Sequence, residues 1–113
     1  MDFRLSSEQQ ALADSVASFC ARDYDFEHRR LSLANEGGFS PDNWQLFAEL
    51  GWLGAGLGED AGGYGGGAVE NAIILEAFGR ALVVEPFLGA LVVGRALGLA
   101  GSAAQKELIA SHI

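Results

Sequence analysis

Eight glycines fall between residues 54 and 67, at positions 54, 56, 58, 62, 63, 65, 66 and 67. That is half of the chain's 16 glycines in one short segment. Glycine has no side chain to bury and loses the most backbone freedom on ordering. The segment therefore cannot form a core of its own. Its flanks are the opposite: Leu46 to Leu53 before it and Val69 to Val84 after it are rich in apolar residues. Such flanks are too apolar to stand alone in water. The segment reads as a loop laid over packed helices, and those helices need partners in the chain or beyond it.

The 113 residues suit one domain, and half of them are apolar while 19% are charged, which is globular rather than disordered. The net charge of −8 repels phosphate backbones and anionic membrane surfaces, so neither nucleic acid nor membrane is expected as a partner. Ala81 to Ala100 is apolar enough to require a membrane check. It contains Glu85, Pro86 and Arg95, and an arginine deep in a span costs ~3 kcal/mol. A core helix is the better reading. Cys20 is the only cysteine, which excludes an internal disulfide and a multi-thiolate metal site. The start, Met1-Asp2-Phe3-Arg4, lacks the basic and apolar regions of a secretory signal, so the expected location is cytoplasmic.

The pattern predicts an all-α fold: an orthogonal or irregular bundle of about five helices, at 7–22, 41–50, 68–80, 86–99 and 103–111. Ser6 and Gln9 suit a reciprocal cap for the first, whose apolar stripe is Leu12, Val16, Phe19 and Cys20. Cys20 on that stripe reads as packing, not as a reactive thiol. Residues 23–39 read as polar and broken. Their acids lack the glycine and terminal glutamate of an EF-hand, and His28 reads as a surface or paired histidine. Ser40-Pro41-Asp42 opens the second helix, and Gly51 closes it as a left-handed cap, with Trp52 and Leu53 packing back. The third should be buried on two sides, with Glu76 and Arg80 ion-paired and Gly79 allowing close packing. The fourth is apolar nearly all round, which marks it as the central helix. Its Ala90, Gly94 and Gly98 form a smooth face for a neighbouring backbone. Ser102 and Gln105 suit a cap for the last. Leu108-Ile109 begins an apolar pattern just before Ile113, as at a boundary cut inside a longer protein.

Gly56-Leu57-Gly58-Glu59-Asp60-Ala61 matches G-x-G-x-x-A, the dinucleotide pattern. That turn must follow a buried strand, and here a helix precedes it, so the match is rejected. No lysine completes a phosphate loop. No acid has a recognisable acid–base partner, so no residue is expected to be catalytic and none to bind metal.

Five stretches carry a family resemblance. They are Leu5-Ser6-Ser7-Glu8-Gln9-Gln10, Phe47-Ala48-Glu49-Leu50-Gly51-Trp52-Leu53-Gly54, Glu59-Asp60-Ala61-Gly62-Gly63-Tyr64-Gly65, and the pair Glu76-Ala77-Phe78-Gly79-Arg80-Ala81 with Ala100-Gly101-Ser102-Ala103-Ala104-Gln105-Lys106. In that order and spacing the whole chain resembles the N-terminal helical domain of flavin-dependent acyl-CoA dehydrogenases. One departure is Gly58, where the family usually has proline. The loop is then more mobile than usual but loses no chemical group.

The resemblance implies a three-domain enzyme in which a glutamate base and FAD desaturate an acyl-CoA thioester. It implies that the base and most flavin contacts come from later polypeptide, so FAD is not expected on these residues. It also implies an electron-acceptor protein as partner. By their position relative to Ala100-Gly101, Val84, Leu88, Gly89 and Val92 correspond to the lining of the acyl tail. An apolar wall with one small residue suits that task, and Leu88 and Val92 suit an ordinary core equally well. Leu88 replaces a polar residue of some relatives at the pocket floor, which favours a purely apolar tail. Two other functions remain open. One is a stand-alone helical module for dimerisation or acyl binding. The other is a flavin oxidase, a monooxygenase or a non-catalytic subunit on the same scaffold. A fragment should expose apolar surface, self-associate and purify colourless.

Overall fold

A computed structural model describes residues 1–113. The chain contains six α-helices and no strand: α1 (Ser7–Asp23), α2 (Phe26–Ala34), α3 (Pro41–Glu49), α4 (Ala68–Ala81), α5 (Phe87–Ala100) and α6 (Ala103–Ala110). A single 3-10 turn, Glu59–Ala61, lies in the glycine-rich loop. The all-α class and the five expected helices are present, with ends shifted by a residue or so.

The helix ends follow local chemistry. The Gln9 amide N–H donates to Ser6 Oγ at 3.1 Å, and the Ser6 N–H donates to Gln9 Oε1 at 2.9 Å. Ser102 and Gln105 repeat this reciprocal cap on α6. Ser40 caps α3, with Pro41 at its first position. Gly51 then takes φ +78°, and the Trp52 N–H reaches back to the Phe47 carbonyl at 2.9 Å. This is a Schellman ending, and it turns Trp52 into the core.

α2 corrects the expectation of a broken polar segment at 23–39. Asp25 caps it by accepting from the His28 N–H, and Glu27 pairs with Arg30 on its surface. Only Ser32 of this helix is buried. Its polar sequence hides the helix because little of it faces a core.

α1 and α4 form the central pair. They run in the same direction: Gln9 meets Glu70 near their starts, and Cys20 meets Ala77 further along. Over them lies an aromatic cluster. Phe19 packs edge-on against Phe47 and Trp52, Phe47 stacks at a tilt on Phe78, and Phe78 meets Phe87 at 80°. Such edge and tilted contacts add to the burial of large apolar rings.

Four further expectations change. α5 is not the central helix: Leu88, Val92, Val93 and Leu99 on it are exposed. Periodicity registers an apolar surface but not which neighbour covers it. The loop does not merely lie over the helices, because Trp52 through Leu57 are all buried. Its glycines make this possible: a Cβ on Gly56 would strike the Asn71 side chain, and one on Gly66 would strike the Ala55 carbonyl oxygen. Finally, the face of Ala90, Gly94 and Gly98 meets side chains, not a backbone. Gly94 receives Leu57, Gly98 receives Ala61, and Ala90 is exposed. Gly79 has open space around it.

Candidate functional site

α5 attaches to the body along one side only. Phe87 is buried against Phe78, the Leu57 side chain lies 3.4 Å from where a Cβ on Gly94 would sit, and Arg95 Nη1 donates to the Gly56 carbonyl at 3.2 Å. The other side is bare and apolar. Leu88 is 61% exposed, Val92 56%, Val93 57% and Leu99 76%. Leu88 and Val92 are four apart and so share a face one turn apart. Gly89 beside them has nothing within 4 Å of the place its Cβ would take. Val84 is half-buried in the corner that leads into the helix. Leu88, Gly89 and Val92 are thus exposed along the first half of α5, and Val84 lies half-buried just before it. They line an open face and no enclosed cavity within these 113 residues.

That corner holds the most buried polar group of the chain's acids. Glu85 is 5% exposed and Tyr24 2%. Tyr24 Oη donates to Glu85 Oε2 at 2.8 Å and accepts the Val84 N–H at 3.0 Å. Asn43 Nδ2 donates to Glu85 Oε1 at 2.7 Å and lies 3.5 Å from Ser32 Oγ. Burial, with the Glu85 carboxylate alongside, pushes the Tyr24 phenol up to about 12. Sequence reasoning missed this cluster. The signal was there: Glu85 is the only acid between Ala81 and Ala100.

A groove of roughly 380 Å³ runs between the start of α1 and the glycine-rich loop, lined by Glu8, Glu49, Tyr64 and Glu70 among others. None of the four expected wall residues lines it. Glu70 sits below the ordinary carboxylate range because Gln9 Nε2 and the Gly67 N–H donate to it. Lys106 Nζ binds Asp60 Oδ2 at 2.7 Å, which ties α6 to the loop and holds the Asp60 carboxyl low. His28 Nδ1 meets Asp25 at 2.7 Å on the surface, as a paired histidine. Glu76 and Arg80 form the expected exposed pair at 2.7 Å. Cys20 packs, with its thiol pushed up by burial and its Sγ 3.8 Å from the Ala77 carbonyl. No helix is long and apolar enough to cross a membrane.

Residues 6–111 match the family model described as "Acyl-CoA dehydrogenase, N-terminal domain". The chain belongs to this family. Over 94 residues it is 33% identical to the acyl-CoA dehydrogenase IpdE2 of Mycolicibacterium smegmatis, covering 82% of this chain and 30% of that protein. It is 29% identical to the acryloyl-CoA reductase (NADH) of Anaerotignum propionicum over 109 residues, 95% of this chain and 27% of the relative. The fold is similar to that in the crystal structure of the ChsE4–ChsE5 complex from Mycobacterium tuberculosis. There the TM-score is 0.85 at 29% identity, covering 99% of this chain and 31% of that one. This acyl-CoA dehydrogenase N-terminal domain therefore spans about a third or less of the length of the relatives it matches.

Proposed function

We propose that the domain is the first of three in an FAD-dependent acyl-CoA dehydrogenase, inactive alone, and that the start of α5 forms one wall of the acyl pocket. The observation that carries this reading is the bare apolar face of α5, on which Leu88 and Val92 stand beside the open space at Gly89. A thioester tail needs such a wall, and a small residue leaves it room. The buried polar side chains nearby are already engaged with one another, so the side chains of the wall are hydrocarbon only.

The flavin implied by the family is placed on later polypeptide in this reading, since the one arginine here without a partner, Arg22, stands exposed near the end of α1. Its pyrophosphate would require free cations or a run of free N–H groups. Lys106 is committed to Asp60, Arg95 to the Gly56 carbonyl and Arg29 to the Leu82 carbonyl. The G-x-G-x-x-A match lies in turns and a 3-10 helix, with no strand before it. No flavin contact and no catalytic step is assigned to this domain. Its work is to exclude water from the acyl tail and to set the room available to it. An electron-acceptor protein and a cytoplasmic location belong to the same proposal.

The test is turnover of a panel of acyl-CoA thioesters by the complete protein with an artificial electron acceptor. The panel is run in both directions, since one relative is a reductase. Oxidation of a saturated thioester should bleach the flavin, and reduction of an unsaturated one, run with NADH as electron donor in place of the acceptor, should restore its colour, while the domain alone purifies colourless. A complete protein that holds no flavin and turns over no thioester contradicts the reading and favours a binding module.

A further inference from the structure

The corner between α4 and α5 is tied down at three neighbouring residues by three separate parts of the chain. Arg29 Nε, from α2, donates to the Leu82 carbonyl at 2.8 Å. Tyr24, which ends α1, accepts the Val84 N–H and donates to Glu85. Asn43, in the first turn of α3, donates to the other oxygen of Glu85. Leu82 itself sits at φ +54°, the only residue other than glycine with a positive φ. A left-handed leucine persists only where its surroundings hold it. The Glu85 carboxylate is buried, yet no ion pair reaches it. A buried carboxylate without a cation is costly, and an apolar residue of similar size would pack there at less cost. What the carboxylate supplies is direction: two oxygens fix two donors from two helices at once.

α5 needs that direction. Its first turn has no side-chain cap, and its far side touches nothing. Its register is therefore set by the corner, by Phe87 and by the loop contacts at Gly94 and Arg95. We propose that Glu85, clamped by Tyr24 and Asn43, is a positioning residue for acyl-chain specificity: it fixes how far Val84 and Leu88 project toward the acyl tail. The inference rests on the pocket reading above and adds to it the element that sets the wall's depth. Displacements of about 1 Å in such a wall change which substrates react well.

The experiment uses the complete protein with a series of saturated acyl-CoA thioesters of increasing length. kcat/KM is measured for the wild type, Glu85→Met, Glu85→Gln and Leu88→Phe, alongside amide hydrogen exchange. Glu85→Met should speed exchange at Val84 and Phe87 by about tenfold or more while Ile74 and Phe78 in α4 stay protected. It should also move the preferred chain length. Glu85→Gln keeps one oxygen to accept from Tyr24, and the Asn43 amide can turn its oxygen toward the new Nε2, so it should restore most of both. A Glu85→Met protein that slows on every thioester by one factor, or keeps its corner protected, overturns the proposal. If Leu88→Phe reshapes the length profile and Glu85→Met does not, the wall stands and the clamp falls. If Leu88→Phe leaves the profile unchanged, the wall reading itself fails and the clamp's role in specificity falls with it. Should Glu85→Met not fold, Tyr24→Phe removes only the hydroxyl and is judged by the same outcomes.

Discussion

At the scale of single residues, Tyr24 carries the clearest pH signature. Its phenol is raised from the ordinary 10 to about 12 because burial and Glu85 oppose the phenolate. The neutral form is thus favoured in the folded chain. The stability it contributes is complete below the unfolded value of about 10 and disappears as pH rises toward 12. Tyr24→Phe should cost about 1–3 kcal/mol at neutral pH, since it leaves the Val84 N–H and one Glu85 oxygen without partners. The gap between the two proteins in urea unfolding should narrow above pH 10 and close toward pH 12. A gap independent of pH would contradict the assignment. The phenol and its partners were illegible beforehand because they lie about 40 to 60 residues apart in the chain. Only the fold joins them, whereas Ser6 with Gln9 and Ser40 with Pro41 act across three residues or fewer and could be read directly.

At the scale of elements, glycine sorts by what lies beside it. Gly79 is exposed in the last turn of α4 with open space around it, so Gly79→Ala should stabilise the domain by about 0.5 kcal/mol. A Cβ on Gly63 would instead run into Leu57, so Gly63→Ala should destabilise by about 1–3 kcal/mol. Thermal unfolding of the two variants checks both signs, and equal signs would contradict the buried path of the loop. The sequence announced a glycine-rich loop but not its depth, because glycine spacing tells nothing of what approaches. The same limit explains α2, whose cap Asp25 sits in an acidic run that reads as coil. It explains α5 as well. Its apolar character was legible, but its place at the edge depends on which neighbours the chain supplies.

At the scale of the molecule, the domain is a slab of 41 × 38 × 19 Å with a radius of gyration of 14.4 Å. A compact chain of this length would have about 13 Å. Its accessible surface of 7035 Å² exceeds by roughly 1,000 Å² what a monomer of this mass usually shows. A thin slab with a bare apolar helix is shaped to be covered. The isolated domain should therefore self-associate through α5, and Val92→Lys with Val93→Lys should weaken that association. Sedimentation showing an unmodified monomer at high concentration would count against it.

The acyl-wall account is tested most directly by photolabelling. The complete protein is irradiated with an acyl-CoA whose tail ends in a diazirine, and the labelled peptides are mapped. The account predicts label on Val84, Leu88, Gly89 or Val92. Label confined to the groove of Glu8, Tyr64 and Glu70, or absent from α5 altogether, would contradict it.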